Sequence, residues 1–377
     1  MHFGEAPSLH KGAVWVRRLL SSTLTWNICP ASSASSLCWL VQELNGDLCL
    51  LTQGELVKEL EKPMMVSAAN VTTVQEFILE GFPAVRSLGT VLFLVHLLAY
   101  LASITGNTLI ITATWTDRRL QTPMYFFLSS FSFLECCLIT TVIPKLLAIF
   151  LSGSQIISLA ACFTQAFVVL FVGTSGFFLL AILSLDRYLA ICKPLHYSNI
   201  MNPRMCVLLV TACLVLGFLL MVVPVGMLSQ LSFCGPHVIP HFFCDFGPLT
   251  NLSCSDTSCI EMLAFSLALL ILLTSLISTV VAYGNIVATI LHLPTAKEQQ
   301  RAFSTCSSHF IVLSLTYSSC VFIYVKPKQT SRQDSNREAA LVNTVVTPLL
   351  NPIIYSLRNK QVHQALKEVL SRVKLQK

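Results

Sequence analysis

The sequence predicts an all-α membrane protein, a seven-transmembrane helix bundle followed by a short amphipathic C-terminal helix. Three observations carry that expectation. Of 377 residues, 54% are apolar and only 11% charged, under half the roughly 25% charge of an ordinary soluble domain; the mean hydropathy is +0.71. Apolar stretches of about 20 residues, the length that crosses a hydrocarbon core, recur along the chain. Most of the Lys and Arg fall between these stretches rather than inside them. A compact globule of this length needs more charge to cover its surface. Composition therefore excludes a soluble enzyme, a disordered scaffold and a nucleic-acid binder.

The spans follow in order. Residues 88–115, 156–185, 205–230, 262–291, 302–325 and 339–357 contain no Asp, Glu, Lys or Arg, and 123–143 is interrupted only by Glu135. Helices are the spanning form that satisfies the backbone at these lengths. With the N-terminus outside, thirteen basic residues from Arg118 to Lys377 fall on the inner side, and the long outer segment 231–260 has no Lys or Arg. That distribution sets the orientation, although Lys326, Lys328, Arg332 and Arg337 make the outer loop before the last span an exception. Asn70-Val71-Thr72 and Asn251-Leu252-Ser253 are glycosylation sequons on the expected outer side, and Asn70 is the expected acceptor.

Residues 1–63 differ from the rest. They are expected to be a disordered N-terminal extension, or a stretch upstream of a start at Met64-Met65. Arg17-Arg18-Leu19-Leu20 hints at a secretory leader, but Ser, Thr, Asn and Pro interrupt the run at once. Residues 64–87 then form an extracellular segment, 88–357 the helical domain, and 358–377 a cytoplasmic amphipathic helix and tail. Val362, Leu366, Leu370 and Val373 supply that helix's apolar face, with Lys360, Lys367 and Arg372 alongside.

Asp186 and Arg187 lie at the inner end of the third span, where an ionisable pair must be matched or wet. From the residues alone the pair reads either as a two-state latch or as a charge pair anchoring the helix end. Asn351-Pro352 breaks the ladder of the seventh span, since proline has no amide donor; this is a kink that moves or one that does not. Tyr355 is one turn on, and Tyr283 lies near the inner end of the fifth span.

From about Glu76 to Lys360 the sequence resembles a vertebrate olfactory receptor, a branch of the rhodopsin-like class A G-protein-coupled receptors. The resemblance rests on Gly106-Asn107; Leu120-Gln121-Thr122-Pro123-Met124-Tyr125; and Asp186-Arg187-Tyr188-Leu189-Ala190-Ile191-Cys192 with the following Tyr197. It rests also on Ser304-Thr305-Cys306-Ser307-Ser308-His309 and Pro348-Leu349-Leu350-Asn351-Pro352-Ile353-Ile354-Tyr355. It implies that Asp186, Arg187, Tyr188, Tyr283, Asn351, Pro352 and Tyr355 form the activation switch that couples to a G protein. It implies disulfides Cys162 to Cys244 and Cys234 to Cys254, leaving Cys259 over. Glu135 falls at the family's sodium-associated acidic position, but Gly176 stands where many relatives carry a second acid. A hydrogen bond from Asn107 or Asn351 to a protonated Glu135 is the alternative to a sodium ion.

In such a bundle a small ligand enters between the outer halves of spans three, five, six and seven. The expected lining is Ala166, Val169, Leu170, Gly173 and Thr174; Leu267 and Ile271; Tyr317, Cys320, Val321 and Tyr324; and Thr344. This set is apolar with a few hydroxyls and no charge, which fits a small, neutral, hydrophobic, volatile ligand. An amine would call for a carboxylate where Val169 sits. No cofactor is expected. The resemblance implies a heterotrimeric stimulatory G protein of the olfactory type as partner, with the lipid bilayer as surroundings and no nucleic acid. A transporter would show repeated halves and a path of buried ionisable groups, and an enzyme a nucleophile–base set or paired carboxylates; neither pattern is present.

Overall fold

The computed structural model describes residues 75–234, 237–325, 332–358 and Gln364. The chain divides into Met1–Thr72 and Thr73–Lys377, and the described residues all belong to the second unit. The expectations for residues 1–63, for Asn70, for Lys326 and Lys328, and for the amphipathic C-terminal helix lie outside them.

The fold is mostly helical. The long helices are α1 (Gly89–Thr116), α2 (Pro123–Ser152) and α3 (Leu159–Cys192), with the short α4 (Pro194–Ile200) after them. Next come α5 (Pro203–Leu228), the one-turn α6 (Phe246–Thr250), α7 (Ser258–Leu291) and α8 (Ala296–Val325). The chain ends in α9 (Arg332–Leu341), a π turn at Val342–Val346 and α10 (Thr347–Arg358). Local chemistry sets the ends. Pro123 and Pro203 occupy first-turn positions that need no amide donor. Asn202 caps α5 by accepting from Met205 N at 3.0 Å. Gly153 ends α2 with φ of 66°, a left-handed conformation that glycine adopts without a Cβ penalty.

Among the described residues, α1, α2, α3, α5 and α7 are long and apolar enough to cross a membrane. Their outer faces carry exposed apolar side chains such as Leu98, Leu208 and Phe265; a helix apolar all round suits a lipid surround. Seven spans were expected; the last two fall on α8 and on α9 with α10. Helix α8 runs from Ala296 to Val325, and its described residues include the apolar stretch His309–Ser318. The seventh stretch is divided by the π turn into α9 and α10. Both still pack into the bundle, α10 against α1 and α8.

Helix α3 is the central post, packed on α2, α5 and α7. Phe127, Leu134, Leu179, Leu183, Ile286, Leu313 and Tyr317 form the main core around it. Two glycines allow close approach. A Cβ on Gly106 of α1 would lie 2.8 Å from Cβ of Pro352, and one on Gly217 of α5 would overlap the Ser175 hydroxyl of α3.

A small sheet caps one end of the bundle. Strand β1 (Glu76–Leu79) pairs antiparallel with β2 (Ile156–Ser158) and parallel with β3 (Val238–Ile239), in the order β2-β1-β3. Residues 156–158, expected as the start of the third span, are therefore strand. Phe77 and Leu79 point inward and are fully buried, as strand alternation requires.

Candidate functional site

The cap is tied down by covalent and ionic bonds. Cys162 at the start of α3 is bonded to Cys244, and Cys234 to Cys254, with Cα separations of 5.4 and 5.7 Å. Cys259 is exposed and unbonded. Gln165 of α3 reinforces the first bond: its Oε1 accepts from Cys244 N at 2.9 Å, and its Nε2 donates to Thr141 O of α2 at 2.9 Å. Arg337 of α9 pairs with Glu80 beside β1 and donates Nε to Pro240 O at 2.9 Å. It was expected in the basic outer loop before the last span; it lies in a helix, is buried and joins three separate segments. His241 lies beside it against Phe242 and Phe243. Burial, and then the Arg337 charge, push its pKa down to about 3.

Beneath the cap are two adjoining cavities of about 380 and 330 Å³ that share Val169, Gly173, Phe177 and Asp245. Six of the expected lining residues, Val169, Leu170, Gly173, Thr174, Leu267 and Ile271, surround the first. Thr344 lines the second. Ala166 and Tyr317 lie elsewhere. Ala166 is buried in the cluster around Cys162 and Cys244. The Tyr317 hydroxyl bonds to Ser275 and, at 3.2 Å, to Thr279, which holds α8 to α7. Cys320, Val321 and Tyr324 are helical, and their side chains lie outside the described residues.

The walls also contain residues that the sequence reading passed over. Phe177 continues the three- and four-residue steps of Val169, Gly173 and Thr174 along α3, so extending that period one turn finds it. Met221 and Pro224 enter from α5, and Phe246 and Gly247 from the capping loop. The expectation of an uncharged cavity is overturned. Asp245 lines both cavities and Glu135 lines the second, because the loop after Cys244 folds down onto α3. Burial holds the Asp245 carboxyl above the ordinary carboxylate range, against the lowering pull of the Phe246 N–H at 3.0 Å.

Below the cavities, Glu135 Oε1 accepts from Asn351 Nδ2 at 3.0 Å. Asn107 instead donates to Ser103 O at 3.0 Å and Pro348 O at 3.1 Å, tying α1 to α10. Of the two amides offered for Glu135, the structure uses Asn351. Glu135 Oε2 has no hydrogen-bond partner among the described residues. Gly176 lines the same cavity but brings no second carboxylate. Among the described residues, no three or more His, Cys, Asp or Glu side chains gather as a metal site would require.

At the far end of α3, Asp186 is fully buried and Arg187 nearly so. Arg187 donates Nε to Asp186 Oδ2 at 2.9 Å, and Tyr197 of α4 donates its hydroxyl to Oδ1 at 2.8 Å. Tyr197 had no role assigned from sequence; its distance of eleven residues from Asp186 hides a contact made by the reversal into α4. Tyr188 packs on the main core. Tyr283 of α7 is buried, and its hydroxyl has no hydrogen-bond partner among the described residues. Cys306 and His309 of α8 are buried as well. Pro352 packs on Gly106, and the Tyr355 side chain lies outside the described residues.

A bundle of apolar helices around one central post, capped by a cross-linked loop, defines a multi-pass membrane protein of the rhodopsin fold. Squid rhodopsin matches it with a TM-score of 0.62 at 16% identity, over 76% of this chain and 87% of that one. The family model described as olfactory receptor matches residues 96–373. Olfactory receptor 6E1 of Mus musculus is 52% identical over 305 residues, 81% of this chain and 97% of the relative. Olfactory receptor 6C75 of Homo sapiens is 47% identical over 304 residues, 81% of this chain and 97% of the relative. The chain belongs to the olfactory receptor family, and is thus a receptor and not an enzyme.

Proposed function

We propose that the protein is an odorant-sensing receptor of the plasma membrane with seven spans and an extracellular N-terminus. It binds a small hydrophobic ligand in the two cavities beneath the cap and activates a stimulatory G protein of the olfactory type, raising cyclic AMP. In this reading residues 88–357 are the receptor domain, 64–87 an extracellular segment, and 358–377 a cytoplasmic helix and tail.

The observation that supports it best is the layout of α3. One half lines the cavities through Val169, Gly173 and Phe177; the other ends in the buried Asp186, Arg187 and Tyr197 cluster. A ligand that fits the cavities of one conformer better than another shifts the population between them. The inner cluster is the element read out: when Asp186 releases Arg187, the guanidinium becomes available to a partner. Tyr283, Asn351, Pro352 and Tyr355 complete the switch on α7 and α10. Few heavy atoms touch so small a ligand, so affinity is micromolar or weaker.

The test is an odorant panel on cells expressing the receptor, read by cyclic AMP. Some member raises cyclic AMP, and Arg187→Ala abolishes that response at unchanged surface expression. A full response in the variant removes the latch. Ion flux or solute uptake without a G protein replaces the receptor reading with a transporter.

A further inference from the structure

The acids in the cavity walls say more about the ligand than its size does. Among the described residues the two linings hold two carboxyl groups, Asp245 and Glu135, and no Lys, Arg or His. Asp245 stands on the wall the cavities share. Its backbone is fixed by the Cys162–Cys244 bond and by Gln165, which accepts from Cys244 N. Its Oδ1 takes the Phe246 N–H at 3.0 Å. Glu135, at the other side of the second cavity, is 7% exposed, and its Oε2 has no hydrogen-bond partner among the described residues.

We propose that Asp245 is the polar anchor of the ligand, and that the cavity selects compact apolar molecules bearing an O–H or N–H donor. Alcohols and amines share that chemistry. The inference rests on the cavities being the ligand site. A carboxyl group here presents acceptor oxygens to the ligand. An alcohol or ammonium satisfies one of them with a charge-assisted hydrogen bond. An aldehyde or ester brings only further acceptors, and leaves polar atoms facing each other unpaired away from water. A carboxylic acid adds like charge. The helix-borne carboxylate that an amine calls for is absent at Val169, but Asp245 reaches the Val169 wall from the loop.

The experiment measures ligand-induced thermal stabilisation of the purified full-length receptor, alongside cyclic AMP in cells. The probes are hexanol, hexylamine, hexanal and hexanoic acid, with the corresponding benzyl alcohol, benzylamine, benzaldehyde and benzoic acid. Within at least one skeleton, the alcohol and amine stabilise at concentrations about tenfold or more below the aldehyde and acid. Asp245→Asn, compared at equal surface expression, narrows the gap between amine and acid by about tenfold. Aldehydes or acids binding as tightly as their alcohols and amines overturn the proposal, as does an unchanged gap between amine and acid in Asp245→Asn. If that variant fails to reach the surface, the wild-type ranking decides alone. A donor ranking in binding with no cyclic AMP response supports the anchor and overturns the signalling reading; cyclic AMP responses without a donor ranking do the reverse.

Discussion

Tyr197 donates its hydroxyl to Asp186 Oδ1 at 2.8 Å, while Arg187 holds the other oxygen of that carboxylate. Burial, with the Asp186 charge and the hydrogen bond, raises the Tyr197 pKa above the ordinary phenol range; the phenol therefore remains a donor at neutral pH. Tyr197→Phe removes one of the two groups that hold the carboxylate. A hydrogen bond to a charged group contributes about 1.5 kcal/mol or more, which is roughly tenfold in the latch equilibrium. Basal cyclic AMP is expected to rise at equal surface expression. Basal signalling at the wild-type level would show that Tyr197 only packs α4.

The Glu135–Asn351 bond joins α2 to α10 at the foot of the second cavity. Asn351→Ala leaves a buried carboxyl without its donor, at about 1–3 kcal/mol. The thermal midpoint of the purified receptor should fall by several degrees. Glu135→Gln keeps the acceptor for Asn351 and should fall less; equal losses in both variants would argue against the hydrogen bond as the cause.

Gly106 is expected to tolerate no side chain. An alanine Cβ would meet the rigid Pro352 ring at 2.8 Å, and overpacking of this kind costs about 1–3 kcal/mol. Gly106→Ala should lower surface expression. Gly247→Ala is the control, since nothing lies within 4 Å of its added Cβ. Matched expression of the two would mean that α1 and α10 do not approach as described.

His241 gives the cap a dependence on acid. Its pKa falls from 6.5 to about 3 in the fold, from burial and then the Arg337 charge. Below pH 6.5 the unfolded chain takes up a proton that the folded chain does not, so stability falls with pH, by at most about 1.4 kcal/mol per unit. Asp245, raised above 3.8, works in the opposite sense at lower pH, since the folded form there holds more protons. The loss is thus clearest just below pH 6.5. His241→Asn, which keeps an acceptor for Phe243 N, should flatten the change in thermal midpoint between pH 7 and 5.5. An unaltered slope would assign the acid sensitivity to other groups.

The apolar spans were legible because each is a long local pattern, and the α3 wall of the cavity because Val169, Leu170, Gly173 and Thr174 repeat at helical spacing. The cap was not. Strands β1, β2 and β3 are two to four residues long, and their pairing joins Ile78 to Ile156 and Val238, distances at which no local pattern speaks. Asp245 and Arg337 were missed as site and cap residues for the same reason: their partners lie on other segments. Tyr317 fits the expected ligand face by spacing, yet Ser275 and Thr279 claim its hydroxyl. The seventh stretch reads as one helix in sequence because nothing in Val342–Val346 announces a π turn, although that turn brings Asn343 and Thr344 to the cavity.

The central claim is that the cavities beneath the cap receive the activating ligand. Gly173 lines both of them, and nothing lies within 4 Å of a Cβ added there. Gly173→Phe therefore carries a ring into the site from a position where the added Cβ meets no described atom. Cyclic AMP should no longer rise with ligands that activate the wild type, while surface expression and the response to direct cyclase activation stay unchanged. An undiminished, equally sensitive response to those ligands would contradict the account and place the ligand elsewhere.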